Sequence, residues 1–112
     1  MEALEKKISE KLRGLGIPPQ LLGYRYLLEA LMLLESDPTY IVRTTRRLYP
    51  EIAKKYNSTP YKVERAIRRA IESAYTFGPY EELMTLKYKP NKDKLSNSAF
   101  MAEVLEMLKY EK

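Results

Sequence analysis

The sequence predicts an all-α fold, a bundle of about six helices that contains a helix–turn–helix. Apolar residues recur at helical spacing through most of the chain, and no stretch alternates apolar and polar residues as a strand would. Prolines, glycines and capping residues interrupt this pattern repeatedly, which divides it into separate helices. At 112 residues the chain is large enough for one modest core. We therefore expect residues 1–112 to form a single domain.

Three helices are predicted in the first half of the chain. The first runs from Glu2 to Arg13, and Gly14 and Gly16 can end it. The second runs from Gln20 to Glu35, is the most apolar, and is expected to be central. Gly23 lies inside this helix, where glycine permits a close crossing by another helix. The third runs from Thr39 to Leu48 after a cap at Ser36 or Asp37, and its expected inward residues are Ile41, Val42, Thr45 and Leu48.

The most informative stretch of the chain runs from Tyr49 to Gly78. It predicts a short helix, a tight turn and a long two-faced helix. Asn57 can take a left-handed turn position, Pro60 fits the first position of a helix, and Thr59 can cap that helix. The stripe of the long helix that is expected to face the core consists of Val63, Ile67, Ala70, Ile71 and Ala74.

Two further elements are predicted near the end of the chain. Pro79 begins a short helix through about Leu86, and a lysine-rich loop follows as far as Leu95. A last helix begins with Asn97 or Ser98 as its cap. Its expected apolar stripe consists of Phe100, Val104, Leu105 and Leu108.

Positive charge is concentrated on the central pair of helices. Between positions 43 and 69 there are nine arginines or lysines and two glutamates, a net charge of +7, whereas the whole chain carries +5. A basic face can simply be solvated. On the second helix of a helix–turn–helix-like pair it is typical of a surface that binds double-stranded DNA.

The exposed face of the long helix carries side chains suited to reading bases. Guanine offers two acceptors that match an arginine, and cytosine offers an amino donor that a carboxylate accepts. Glu64, Arg65 and Arg68 are therefore the predicted base-reading residues, although Glu64 and Arg68 could instead form an intrahelical ion pair. The residues expected to contact the DNA backbone or flank the contact are Arg46, Arg47, Lys54, Lys55, Ser58, Thr59, Tyr61, Lys62 and Arg69.

The same stretch resembles a known family of DNA-binding domains. The similar segments are Leu48-Tyr-Pro-Glu-Ile-Ala-Lys-Lys-Tyr-Asn57, Val63-Glu-Arg-Ala-Ile-Arg68, Ala70-Ile-Glu72, Gly16-Ile-Pro18, Gly23-Tyr-Arg-Tyr-Leu27, Glu29-Ala30, Asn97-Ser98, Phe100 and Ala102. Together they resemble the effector domain of the stage-zero sporulation response regulator, the master regulator of endospore formation. The likeness covers nearly the whole chain.

This resemblance implies a target and partners. The helix from Pro60 to Tyr75 would enter the major groove of a TGTCGAA-type box, with Glu64, Arg65 and Arg68 in the contact surface. Family members bind tandem boxes as head-to-tail homodimers and contact the RNA polymerase sigma subunit, here through the segment from Tyr75 to Leu86. Arg69 stands where a histidine is usual, and Lys62 also departs from the family pattern. No phosphoacceptor receiver domain is found in the chain, which leaves open an excised effector domain or a free-standing regulator.

Composition excludes several other classes of function. Without cysteine or histidine the chain cannot form disulfides, thiolate or imidazole metal sites, or a histidine general base. No paired carboxylates or activated lysine mark an enzyme, and no cofactor or metal is expected. No apolar run reaches the ~20 residues that cross a bilayer, so the expected location is the bacterial cytoplasm, at the nucleoid. The remaining alternative is a helical adaptor whose basic surface docks an acidic or polymerase partner.

Overall fold

The computed structural model describes residues 2–79 and 96–110, which form helices joined by short turns and include no strand. None of their helices is long and apolar enough to span a membrane. The α-helices are α1 (Glu2–Gly14), α2 (Leu22–Ser36), α3 (Tyr49–Lys55), α4 (Pro60–Phe77) and α5 (Asn97–Tyr110), and between α2 and α3 lie a 3₁₀ segment (Pro38–Arg43) and a π segment (Thr44–Leu48).

The described residues thus hold five α-helices, where about six helices are predicted. The short helix and the loop predicted between Pro79 and Leu95 lie almost wholly outside these residues. The stretch from Thr39 to Leu48 is helical as predicted, but it consists of the 3₁₀ segment followed by the π segment and not of one continuous α-helix.

The changed helical period alters which side chains face the core. A 3₁₀ turn has 3.0 residues rather than 3.6, so an α-helical stripe no longer stays on one side. Val42 is 81% exposed, Thr45 is also exposed, and Tyr40 is buried in their place. Leu48 is buried as predicted. The tight first turn is fixed by Asp37, whose carboxylate accepts from the backbone N–H of Thr39 at 3.1 Å, and the hydrogen bonds from Thr39 lower the pKa of Asp37.

The central position of α2 is confirmed. It packs against α1, α3, α4, α5 and the 3₁₀ segment. Helix α4 crosses α2 closely at Gly23. A Cβ atom on Gly23 would lie only 2.7 Å from the backbone carbonyl carbon of Ala66 and 2.8 Å from Cβ of Ala70, both on α4. The backbones of α2 and α4 therefore meet where no larger residue fits.

The turn between α3 and α4 has the predicted chemistry. Asn57 adopts a positive φ of 53°, and the next backbone N–H, that of Ser58, donates to the carbonyl of Ala53 at 2.8 Å. A residue in the left-handed conformation followed by this bond is the Schellman ending of a helix. It reverses the chain within a few residues and places α4 against α3.

The beginning of α4 and its buried stripe are also as predicted. Pro60 occupies the first turn, and all five expected core residues (Val63, Ile67, Ala70, Ile71 and Ala74) are buried. The hydroxyl oxygen of Thr59 accepts from the backbone N–H of Lys62 at 3.2 Å, which caps the helix. The amphipathic pattern thus fixes which face of α4 meets solvent.

Thr59→Ala should lower the free energy of unfolding by about 1 kcal/mol, because it leaves the first turn of α4 without its side-chain acceptor. Urea unfolding followed by circular dichroism measures this change. Thr59→Ser keeps the hydroxyl and is the matched control, with an expected change of only a few tenths of a kcal/mol. Equal midpoints for Thr59→Ala and the original chain would show that the cap contributes nothing.

The last helix differs from prediction in its cap and stripe. The acceptor at its start is Ser96, whose hydroxyl accepts from the backbone N–H of Ala99 at 3.2 Å, and Asn97 bonds elsewhere. Phe100, Val104 and Leu108 are buried as expected, whereas Leu105 is only partly buried. Met101 is buried as well, and around the helix it falls between Leu108 and Leu105.

Candidate nucleic-acid interface

The exposed face of α4 presents the side chains that the sequence predicts to meet DNA. Tyr61, Lys62, Arg65, Arg68 and Arg69 are exposed, while Glu64 is partly buried at the edge of this face. The opposite stripe packs into the core, so α4 cannot turn another face outward while the domain stays folded. A rigid helix with this convex basic face has the size of the DNA major groove.

Glu64 and Arg68 form the ion pair that the sequence left open as an alternative. Nη2 of Arg68 donates to Oε1 of Glu64 at 2.8 Å, with side chains 53% and 33% exposed, respectively. An exposed pair at this spacing contributes only ~0.3–0.5 kcal/mol to stability. Its larger consequence is geometric, because it restricts the direction in which the Arg68 guanidinium points.

Arg65 is directed by an aromatic neighbour on the preceding turn. Its guanidinium carbon lies 5.5 Å from the ring centroid of Tyr61, and its Nη1 donates to the Tyr61 hydroxyl at 3.4 Å. A cation over an aromatic face at an exposed site gains roughly 0.5–1 kcal/mol. Each of the two predicted base-reading arginines is therefore held by a neighbour one helical turn away.

The exposed face of α4 forms a ridge with one groove on each side. One, of about 480 Å³, lies between α4 and the start of α2, where Lys62, Arg65 and Arg69 line it. The other, of about 390 Å³, lies between α4, the π segment and the start of α5, where Glu64 and Arg68 line it. The three predicted base-reading residues are thus divided between the two sides of the ridge, with Arg65 on one side and Glu64 and Arg68 on the other.

Further basic residues flank α4. Arg46 and Arg47 are exposed on the π segment, and the guanidinium carbon of Arg47 lies 4.8 Å from the ring centroid of Tyr40. Lys54 is exposed at the end of α3. In the turn, Thr59 is exposed and Ser58 is partly buried.

Lys55 differs from the other predicted phosphate contacts. Its Nζ lies 2.8 Å from Oε1 of Glu29 on α2, and this hydrogen bond raises the pKa of Lys55. The side chain stays charged, but a carboxylate already offsets its charge. Lys55 therefore presents less positive potential to a phosphate than Lys54 does.

Asn97 makes hydrogen bonds beside this surface that the sequence does not predict. Its Nδ2 donates to the hydroxyl of Tyr49 at 3.0 Å and to the backbone carbonyl of Glu64 at 3.2 Å. The sequence suggests only a helix cap at Asn97. No local pattern pairs this residue with α4, because the contact depends on how α5 packs across the bundle.

The described residues offer no competing metal centre, since no group of three or more acidic side chains among them could hold a metal ion. The family model described as sporulation initiation factor Spo0A C terminal matches residues 8–108 of the chain. The match includes the second half of α1, the whole of α2 and of the helix–turn–helix, and most of α5. The matched family is one of DNA-binding regulatory domains and is not an enzyme family. The chain therefore belongs to the Spo0A C-terminal family, whose domains bind DNA and regulate transcription in sporulation.

Proposed function

We propose that this domain reads a TGTCGAA-type box in double-stranded DNA by inserting α4 into the major groove. The observation that carries the proposal is the exposed face of α4, on which Arg65 and Arg68 are each held by a neighbour one turn away. Base readout requires guanidinium groups in fixed directions, because a bidentate contact needs both of its hydrogen bonds at once. The buried stripe and the capped turn supply a rigid support for these side chains.

Positively and negatively charged side chains make the proposed base contacts. Arg65 and Arg68 donate to the O6 and N7 atoms of guanine, and Glu64 accepts from the amino group of cytosine. The C·G step within the box offers both kinds of group. Glu64 has a second role, because it holds Arg68 in place through the 2.8 Å ion pair.

The proposed phosphate contacts come from α4 and from the two elements before it. The π segment contributes Arg46 and Arg47, and α3 contributes Lys54. On α4 itself, the contacts are Lys62 and Arg69, which lie beside the base-reading residues. Such contacts fix the register of the protein on the duplex without reading its sequence. The turn contributes through Ser58 and Thr59, and the first turn of α4 contributes through Tyr61. Lys55 contributes less because of its ion pair with Glu29.

Two partner contacts extend the proposal. Tandem boxes would be bound by head-to-tail homodimers, and the polymerase sigma subunit would be met through the segment from Tyr75 to Leu86. Only residues 75–79 of that segment are described, and Phe77 among them is 79% exposed.

Fluorescence anisotropy tests the proposal on a duplex that carries one TGTCGAA box and on a scrambled duplex of equal composition. We expect a preference of about 10³-fold for the box that survives at physiological salt. Equal and steeply salt-dependent binding to both duplexes would instead mean that the basic face only neutralises phosphates. Absence of binding to either duplex would contradict DNA recognition and favour the helical adaptor.

A further inference from the structure

One side chain joins the last helix to both helices of the DNA-binding pair. From the first turn of α5, the amide nitrogen of Asn97 reaches the Tyr49 hydroxyl on α3 at 3.0 Å and the Glu64 carbonyl on α4 at 3.2 Å. Both hydrogens of the amide nitrogen are thereby used. The bridge therefore links three helices at a single point.

The chemistry of the two partners fixes the orientation of this amide. A backbone carbonyl can only accept, so the nitrogen of Asn97 and not its oxygen must face Glu64. Tyr49 is 4% exposed, and burial raises the pKa of its hydroxyl. The phenol thus remains neutral, which gives Asn97 a fixed and uncharged anchor on α3.

The bridge meets α4 at the turn that carries the base-reading residues. Glu64 receives the hydrogen bond on its backbone, and its side chain holds Arg68 at 2.8 Å. The hydrophobic effect that buries the α4 stripe is non-directional, whereas a hydrogen bond is directional. The bridge therefore adds to the packing of the stripe a specific constraint on the rotation of α4 about its axis.

We propose that Asn97 is a positioning residue for base recognition. It fixes the rotation of α4 relative to α3, so that Arg68 and Glu64 point at the base edges, although Asn97 itself contacts no base. This inference rests on the proposed function and adds to it a residue of the last helix that controls sequence preference. A purely structural role would change stability without changing the preference.

The test compares dissociation constants for the TGTCGAA duplex and the scrambled duplex in Asn97→Asp. The carboxylate has nearly the same shape as the amide, but it cannot donate to the Glu64 carbonyl and is repelled by it. We expect the preference for the box to fall about tenfold, as when a bidentate base contact is lost. The carboxylate also adds a negative charge to the groove that Arg68 lines, and Asn97→Ala separates this effect from loss of the bridge.

Two more substitutions keep the test decisive if Asn97→Asp does not fold. Asn97→Ala removes both hydrogen bonds without adding charge and should lower the preference in the same direction. Tyr49→Phe removes only the anchor on α3 and should lower the preference about threefold, as expected for one lost hydrogen bond.

Ser96→Ala is the matched control. It removes the 3.2 Å cap at the start of α5 and should lower the melting temperature, yet it leaves the Asn97 bridge intact and the preference within about twofold of its original value. An unchanged preference in a folded Asn97 variant would overturn the inference. An equal loss of preference in Ser96→Ala would also overturn it, because stability would then explain both. If the original chain shows no preference, the proposed function fails before any substitution, and this inference fails with it.

Discussion

Arg68→Ala is expected to remove discrimination at one base pair of the box while changing binding to unrelated duplexes far less. Loss of a bidentate contact between arginine and guanine costs ~1–3 kcal/mol of discrimination against the wrong base. Glu64 holds the guanidinium of Arg68 in one direction, which strengthens this expectation. The measurement is anisotropy on a set of duplexes that each carry one changed base pair, since only one position should become tolerant.

Arg46→Ala is the matched control, because it removes the same charge from the exposed π segment. It should weaken binding to all duplexes alike and reduce the slope of log affinity against log salt by about 1. Its pattern of preferences should be unchanged. If Arg68→Ala and Arg46→Ala lower all affinities in the same way, Arg68 is a phosphate contact and not a base contact.

Gly23→Ala is expected to destabilise the domain by about 2 kcal/mol. Overpacking costs up to ~3 kcal/mol when backbone atoms are met, and the better helix propensity of alanine offsets ~1 kcal/mol of this. The new Cβ would lie 2.7 Å from the Ala66 carbonyl carbon, which can move only if α4 itself moves. Urea unfolding measures the free energy of unfolding of the two proteins.

Gly14→Ala provides the control for Gly23→Ala. It lies in the last turn of α1, where a Cβ atom would meet nothing within 4 Å. The expected change is neutral or slightly stabilising, because alanine has the better helix propensity. A Gly23→Ala variant as stable as Gly14→Ala would contradict the close crossing of α2 and α4.

The helix–turn–helix could be predicted almost completely from sequence, because its signals are local. Asn57, Thr59 and Pro60 each have one well-defined role at a helix boundary, and all three occupy the predicted positions. The stripe of α4 repeats at the α-helical period over several turns, which fixes the buried face. The family resemblance drawn from the same residues is confirmed by the match over residues 8–108.

The stretch before the helix–turn–helix could not be predicted in the same way. Its apolar residues fit an α-helix, but the 3₁₀ and π turns change the period, so Val42 is exposed and Tyr40 is buried. Pro38 and the hydrogen bonds of Asp37 favour a tight first turn. Such local competition between helix types leaves little trace in an apolar pattern of ten residues.

The candidate site was predicted as a surface but not as a set of contacts. Exposed arginines on α4 follow directly from the helical period. The sequence predicts the ion pair of Glu64 with Arg68 only as an alternative, because spacing alone allows both that pair and a base contact. The bridge from Asn97 was not foreseen, because it joins helices that are distant in sequence.

Base reading by α4 is tested most directly by exchanging a single atom of the DNA. In 7-deazaguanine the N7 acceptor is replaced by carbon, while Watson–Crick pairing is kept. Placed at the guanine of the CG step on the TGTCGAA strand, it should weaken binding of the original chain by about tenfold. One of the variants Arg65→Ala and Arg68→Ala removes the arginine that reads this guanine. In that variant 7-deazaguanine should weaken binding little further, because the two changes delete the same contact. Equal loss in the original chain and in both variants, or no loss at all, would contradict major-groove readout by this helix.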